Sequence, residues 1–398
     1  MARAPGVDLA SLIHPVSPEE FKREYWERKP LVLTGRNDGR YRRLLSLADV
    51  DDLLSRSGGR PPGVRTVREG ATGEPRSGPK AGVKAGGLER LYQDYRDGST
   101  IVLDAIHERW PPLSELCRAL SSEFSAAFQV NVYLTPRWSQ GLPTHYDTHD
   151  VFVLQVEGSK HWRIHRSPFR LPLPGQIFRR DETEPGEVLE EFDLNAGDLA
   201  YLPRGTMHDA RTEDSLSLHL TVGALTVTWA SVLLAAVETA IEGDTRFRES
   251  LPAGFAEEDD DGRERAETRA LELLDALRGS ITPASLVDDA TARALSSAPE
   301  SLQGHLLDLE AESGLDLETT VRRRPEVPSR LGVDGDDAWL MFLGKVVRLP
   351  AAVEKDVRFV LESDQFTPGD LPGGLDEQGR LVLVRRLLHE GLLTLPRR

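Results

Sequence analysis

The residues best equipped for chemistry lie in two short stretches. In the first, Gly141-Leu-Pro-Thr-His145-Tyr-Asp147, a histidine and an aspartate stand two apart, so on extended chain both side chains leave the same face and can reach one metal ion. Alone this is a weak signal, because a chain with ten histidines contains about one H-x-[DE] triplet by chance. The second stretch, well downstream, reads Gly197-x5-Pro203-x-Gly205-x2-His208; its glycines and proline build a tight turn that aims a single histidine inward. The combination is much more specific than either part.

The paired stretches resemble the two motifs of the cupin, or double-stranded β-helix, fold, in which H-x-D and a distant histidine form a facial triad. Two imidazoles and one carboxylate leave three adjacent positions of an octahedral ion open to a bidentate cosubstrate and dioxygen, whereas structural zinc wants a closed tetrahedron. The donor set therefore points to Fe(II), with manganese, nickel or cobalt as inert substitutes. On the next strand Lys160, Trp162 and Ile164 share one face, and His161, Arg163 and His165 the other. The apolar partners turn Lys160 inward, where an ammonium needs an anion such as a carboxylate; the alternative is a lysine that snorkels from the strand end. The same parity places His161 and His165 outside and removes them as ligands. His149, four residues from His145, falls outside the alternation if a turn intervenes, and is expected at the surface or behind the ligands. Ser217, His219 and Thr221 form a polar face opposite Leu216, Leu218, Leu220 and Val222, and either line the cavity or meet solvent.

Short alternating runs separated by turns, NVYLT, VFVLQV, KHWRIH, LAYLP and SLSLHLTV, fill Phe128 to Val222 and predict an antiparallel sandwich or barrel, with Glu157-Gly158-Ser159 as a hairpin turn. Upstream, Phe21 to Leu33 predicts an amphipathic helix that stops before Pro30 and feeds a short strand. Arg60 to Lys84, rich in glycine and proline, predicts a surface loop with a local positive charge. After Gly223 the pattern becomes helical. Thr228 caps a segment through Ile241 in which Trp229, Leu233, Val237 and Ile241 recur every four residues, and Gly243 ends it. Glu257 to Asp261 reads as an exposed acidic loop ahead of a helix over Ala266 to Leu277, and His305 to Leu315 as another helix. From Asp336 to Leu395 come short helical patterns, a helix face of Leu381, Val384 and Leu388, then Gly391 and a short strand. That is compatible with a small winged-helix-like unit, whose slight acidic excess favours packing or protein contact over DNA.

The chain has 398 residues, a prior of two or three domains. Its single cysteine, Cys117, excludes an intrachain disulfide and multi-thiolate zinc sites, and suits a reducing cytoplasm. A formal charge of −16 works against attraction to nucleic acid or anionic lipid and modestly favours a basic partner. No apolar run approaches the roughly 20 residues that cross a bilayer. Met1 to Val16 lacks the order of a signal peptide, so export is not expected.

The run from Asn131 to His165, NVYLTPRWSQGLPTHYDTHDVFVLQVEGSKHWRIH, strongly resembles the JmjC-type ribosomal oxygenases, Fe(II)- and 2-oxoglutarate-dependent enzymes that hydroxylate ribosomal-protein side chains. The resemblance extends over most of the chain, including the N-terminal YWERKPLVL segment. It implies a mainly β core (jelly roll, JmjC type) within residues 1–227, an α-helical dimerisation region over 228–330 and a winged-helix-like domain over 331–398. By the same resemblance His145, Asp147 and His208 are iron ligands, Lys160 pairs the distal carboxylate of 2-oxoglutarate, and Asn131 and Tyr133 shape the cosubstrate pocket. The implied reaction is hydroxylation of an arginine or histidine side chain of a protein or peptide, foremost a ribosomal protein, by a cytoplasmic homodimer with no direct nucleic-acid binding. Thr148-His149-Asp150 departs from the more acidic run of histidine-modifying members, which leaves arginine against histidine open. N-methyl demethylation by the same chemistry and a noncatalytic cupin-type regulator are the alternatives.

Overall fold

Strict alternation along the strand Ala127–Thr135 sets the architecture: Val130, Val132 and Leu134 are buried in an apolar core, while Asn131 and Tyr133 face a cavity on the other side. The computed structural model describes residues 7–56, 63–68, 87–181, 183–257, 259–296, 302–325 and 327–396. Contacts divide the chain into two units, 1–226 and 227–398.

In the first unit, nine strands among the described residues run β1 Leu31–Leu33, β2 Val64–Val67, β3 Thr100–Leu103, β4 Ala127–Thr135, β5 Asp150–His165, β6 Val188–Asn195, β7 Leu199–Leu202, β8 Met207–Arg211 and β9 Ser217–Leu225. The order β1-β7-β5-β9-β4-β3-β2 forms the larger sheet, and β6 and β8 flank the far half of β5; every pairing is antiparallel. This is the jelly-roll, cupin-type architecture expected from the sequence. The outer face of the larger sheet, carrying Phe152, Leu154, Leu218, Leu220 and Val222, packs against helix Pro111–Phe124 through Leu113, Leu116, Cys117 and Leu120. On its inner face Val151 and Val153 meet Trp162, Ile164, Leu194 and Ala210 from the second sheet. Both faces of β5 are thus apolar, the pattern of a doubly covered strand.

Three sequence expectations change here. Glu157-Gly158-Ser159 is not a hairpin turn but lies inside the sixteen-residue strand β5, just after a bulge at Val156. Gly158 sits at φ 66°, and a Cβ there would meet the carbonyl oxygen of Leu216 at 1.7 Å, so glycine lets the strand bend from one sheet into the other. The first helix of the YWERKP region spans Pro18–Glu24, capped by Ser17, and ends well before Pro30. Glu27 there turns left-handed (φ 54°) and donates its N–H to the Tyr201 hydroxyl at 2.9 Å. Within the expected loop of Arg60 to Lys84, Val64–Val67 form β2, paired with β3; residues 60–62 and 69–84 lie outside the described residues.

In the second unit, Thr228 caps the helix Trp229–Gly243 through Ser231 N, and the helices Asp260–Ser280, Pro283–Ser296 and His305–Ala311 follow. Asp259 caps the second of these and Asp260 and Asp261 lie in its first turn, where their charge suits the helix dipole, so part of the expected acidic loop is helical. The stretch after Asp336 differs more. Its first part belongs to a three-stranded meander, Ser329–Asp334, Asp337–Phe342 and Lys345–Pro350, and the expected short helices begin only after it, at Ala351–Val353 and Glu354–Glu362. Its second turn, Leu343-Gly344, has both φ angles positive, the geometry that two-residue hairpins require. The helix Glu377–His389 buries Val384 and Leu388 as expected, and Leu393–Thr394 is a short strand. No helix among the described residues is long and apolar enough to cross a membrane.

Candidate metal centre

Main-chain pairing brings the two motif stretches together. His145 and His208 form an isolated antiparallel bridge, with His145 N donating to His208 O at 3.0 Å and His208 N to His145 O at 2.8 Å. Asp147 continues the extended chain and faces the same way as His145, while Tyr146 between them points oppositely, buried against Phe169 and Phe178. One ligand atom from each of His145, Asp147 and His208 lies within 4.8 Å of the others, a group able to hold a metal ion.

Both imidazoles are set for that task by their second nitrogen. His145 Nδ1 faces the Pro143 carbonyl and His208 Nδ1 the Thr206 carbonyl, each at 2.8 Å. A carbonyl only accepts, so each Nδ1 carries the proton and each Nε2 keeps its lone pair for an ion. Burial, then the nearby His145 ring, pushes His208 down to about 4, which keeps it neutral. For Asp147 burial acts upward, but the rings of His145, His208 and His149 outweigh it and the carboxyl lies below its usual range.

The group opens on a cavity of about 500 Å³, large enough for a small dicarboxylate and part of a second molecule. Lys160, 6% exposed, lines it from β5. Its Nζ donates to Thr135 Oγ1 at 3.2 Å and has no carboxylate partner among the described residues. Burial lowers it to about 7. The snorkelling alternative is thereby removed. Asn131 and Tyr133 also line the cavity: Asn131 Oδ1 accepts from Ala105 N at 2.9 Å, which turns its amide NH2 elsewhere, and Tyr133 is pushed up to about 12, by burial first and then by Asp147.

His219 and Thr221 line the same cavity, deciding the open question about that face of β9, while Ser217 lies buried behind them. Register explains the grouping, since Asn131 pairs with Thr221 and Tyr133 with His219. His149 lines the cavity beside Asp147 but is outside the metal group. The third member of that run, Asp150, is fully buried, accepting from the Tyr201 hydroxyl at 2.8 Å and from Arg204 at 3.1 Å. It anchors the Pro203–Gly205 turn and does not face the cavity.

His161 is outside as expected, paired with Asp193. His165 is not: it is 7% exposed, with Nε2 2.7 Å from Asp209 Oδ2. Asp209 also accepts from Thr144 at 2.8 Å and Arg163 at 2.9 Å, so it ties the residue before His145 to the residue after His208. Sequence reasoning missed this aspartate, although its place next to His208 was a usable signal. It also missed Arg65 and Asp104, a two-pronged ion pair (2.7 and 3.1 Å) on the cavity wall, because Arg65 lay in a segment read as loop.

Residues 106–232 match the family described as JmjC domain. Ribosomal oxygenase 2 of Mus musculus is 33% identical over 264 residues, covering 63% of this chain and 55% of that protein. The bifunctional lysine-specific demethylase and histidyl-hydroxylase NO66 of Drosophila persimilis is 31% identical over 253 residues, covering 61% of this chain and 36% of that protein. The chain thus spans about half, or less, of the length of these relatives. Among solved structures, YcfD, a ribosomal oxygenase from Escherichia coli, in complex with cobalt and 2-oxoglutarate, shares the fold with TM-score 0.52 and 14% identity, covering 95% of this chain and 98% of that one.

Proposed function

We propose, from the premise that this chain carries a JmjC domain and is related to the ribosomal oxygenases, that it is an Fe(II)- and 2-oxoglutarate-dependent oxygenase which hydroxylates an arginine or histidine side chain of a protein, foremost a ribosomal protein. One observation carries the reading: a three-donor group with free Nε2 lone pairs stands in a cavity whose wall holds a buried ammonium lacking an anionic partner among the described residues. A purely structural metal site has no use for that lysine or for the cavity.

In this reading His145, Asp147 and His208 hold iron, and the donor set fits that ion. Bound there with 2-oxoglutarate, iron supplies oxidative decarboxylation to succinate and CO2 and delivery of one oxygen atom from O2 to a C–H bond. The chain does the rest. Lys160 pairs the distal carboxylate, Asn131 and Tyr133 border the bound cosubstrate, and Val151, Val153 and Trp162 exclude water from it.

Mass spectrometry of ribosomal proteins from cells with and without the gene tests this: the gene should add one oxygen atom to one arginine or histidine, and identical spectra together with no succinate from the purified protein would sink the reading. The name of the fly relative favours a second reading, removal of an N-methyl group, for which formaldehyde release from a methylated peptide is the distinguishing product.

The three-part division follows the same reading, with chemistry in 1–227, pairing of two copies through 228–330, and a winged-helix-like protein contact in 331–398. Exposed apolar side chains support the pairing: Trp229 is 65% and Leu234 63% exposed on one helix, and Leu271 63% and Leu274 60% on the next. Sedimentation should give a dimer that Trp229→Asp with Leu233→Asp converts to monomer; a wild-type monomer at micromolar concentration would refute it. A ribosomal-protein target and the lone buried Cys117 support a cytoplasmic location, and the −16 charge speaks against direct nucleic-acid binding.

A further inference from the structure

His219 is 2% exposed, yet its ring lines the cavity beside Lys160. Neighbours on two sides fix the ring. Tyr133 stacks on it at 5.0 Å and 5°, and Trp162 meets it edge-on at 5.7 Å.

A hydrogen-bond chain behind the ring sets its tautomer. Gln155, fully buried, faces the Glu157 carbonyl at 2.9 Å, and because a carbonyl only accepts, the atom turned to it is the amide nitrogen. The same nitrogen's second hydrogen goes to Ser217 Oγ at 2.9 Å. The Ser217 hydroxyl, having accepted there, has its own proton to give, and the acceptor near it is His219 Nδ1, a long contact at 3.5 Å. With Nδ1 as acceptor, a neutral ring carries its proton on Nε2. Burial, and then the Lys160 charge, hold the ring neutral by lowering it well below the usual histidine range. His219 Nε2 has no partner among the described residues.

We propose that His219 is a cosubstrate-binding residue whose Nε2–H donates to the same distal carboxylate that Lys160 pairs, its tautomer set by the Gln155–Ser217 chain. A carboxylate has more acceptor sites than one ammonium fills. A neutral donor completes the set without placing a second positive charge next to Lys160. The proposal rests on the cavity being a 2-oxoglutarate site.

The test is calorimetric titration of two ligands into the full-length Mn(II)-loaded protein: 2-oxoglutarate, and 2-oxopentanoate, which keeps the oxoacid end but lacks the distal carboxylate. His219→Phe should weaken 2-oxoglutarate about tenfold or more and leave 2-oxopentanoate unchanged, and His219→Gln, which keeps an N–H donor, should recover most of the loss. Equal weakening of both ligands would make the role merely structural and overturn the proposal. Unchanged 2-oxoglutarate binding in His219→Phe, alongside its loss in Lys160→Met, would overturn the proposal and leave the cosubstrate site standing. No binding by the wild type, or no effect of either variant, would remove the site and the proposal together. Should His219→Phe not fold, Ser217→Ala decides: freeing the tautomer should cost about threefold for 2-oxoglutarate alone, and no change overturns the proposal.

Discussion

With His145 or Asp147 replaced by alanine, the protein is expected to bind Mn(II) or Co(II) more than about a hundredfold more weakly and to form no succinate from 2-oxoglutarate. Loss of a group that merely supports a ligand costs about 10- to 100-fold in metal affinity, and loss of one donor out of three costs more. The substitutions isolate the donors cleanly. The bridge that holds His145 to His208 uses main-chain N and O atoms, so alanine leaves the path of the chain intact. Among the described residues the Asp147 side chain makes no hydrogen bond that fastens a loop; its close polar neighbour is His208 Nε2 at 3.9 Å. Metal titration with a melting curve on the same sample is the check. Normal succinate yield from a folded variant would show that these side chains are not the metal centre.

Removing the ammonium of Lys160 should act on the cosubstrate and not on the metal. Truncating one partner of a buried charge pair costs about 2–5 kcal/mol, so Lys160→Met is expected to weaken 2-oxoglutarate roughly thirtyfold or more while Mn(II) affinity stays within about twofold. The pH dependence gives a second handle. Burial lowers Lys160 to about 7 in the cosubstrate-free protein, and a bound carboxylate raises it again. Above pH 7, then, binding takes up a proton, and wild-type affinity should fall by up to about tenfold per pH unit until the raised value is reached. Stability of the free protein runs the opposite way. Between about 7 and the ordinary 10.5 the unfolded chain holds the extra proton, so stability rises with pH across that window. Lys160→Met should flatten both slopes. A pH-independent wild-type affinity from 7 to 9 would mean that the lysine is charged throughout and that burial does not govern it.

Much of this site was legible because strand parity is a local property. The spacing of His145 and Asp147, the alternation that turns Lys160 and Trp162 together, and the turn residues before His208 can each be read within ten residues. The same rule separates Asn131 and Tyr133 from the core-facing Val130 and Val132. Where reading failed, a distant partner had the deciding vote. Gly158 reads as a turn glycine, yet it continues one strand just past the bulge at Val156, with the Leu216 carbonyl close against it. His165 has outward parity, but Asp209 covers it. Between Asp337 and Phe342 apolar side chains fall on both parities, and only pairing in the meander separates Ala338, Leu340 and Phe342 from the rest.

The sequence by itself determined which chemical groups are available and which neighbours share a face, since covalent spacing and backbone periodicity act over a few residues. The tertiary structure alone decided that His208 meets His145, that Lys160 is sealed in without an anion among the described residues, and that His219 faces the cavity with Ser217 behind it. Each of those depends on pairing between segments far apart in the chain, and such pairing is fixed by the joint burial of whole strands, which no local window contains.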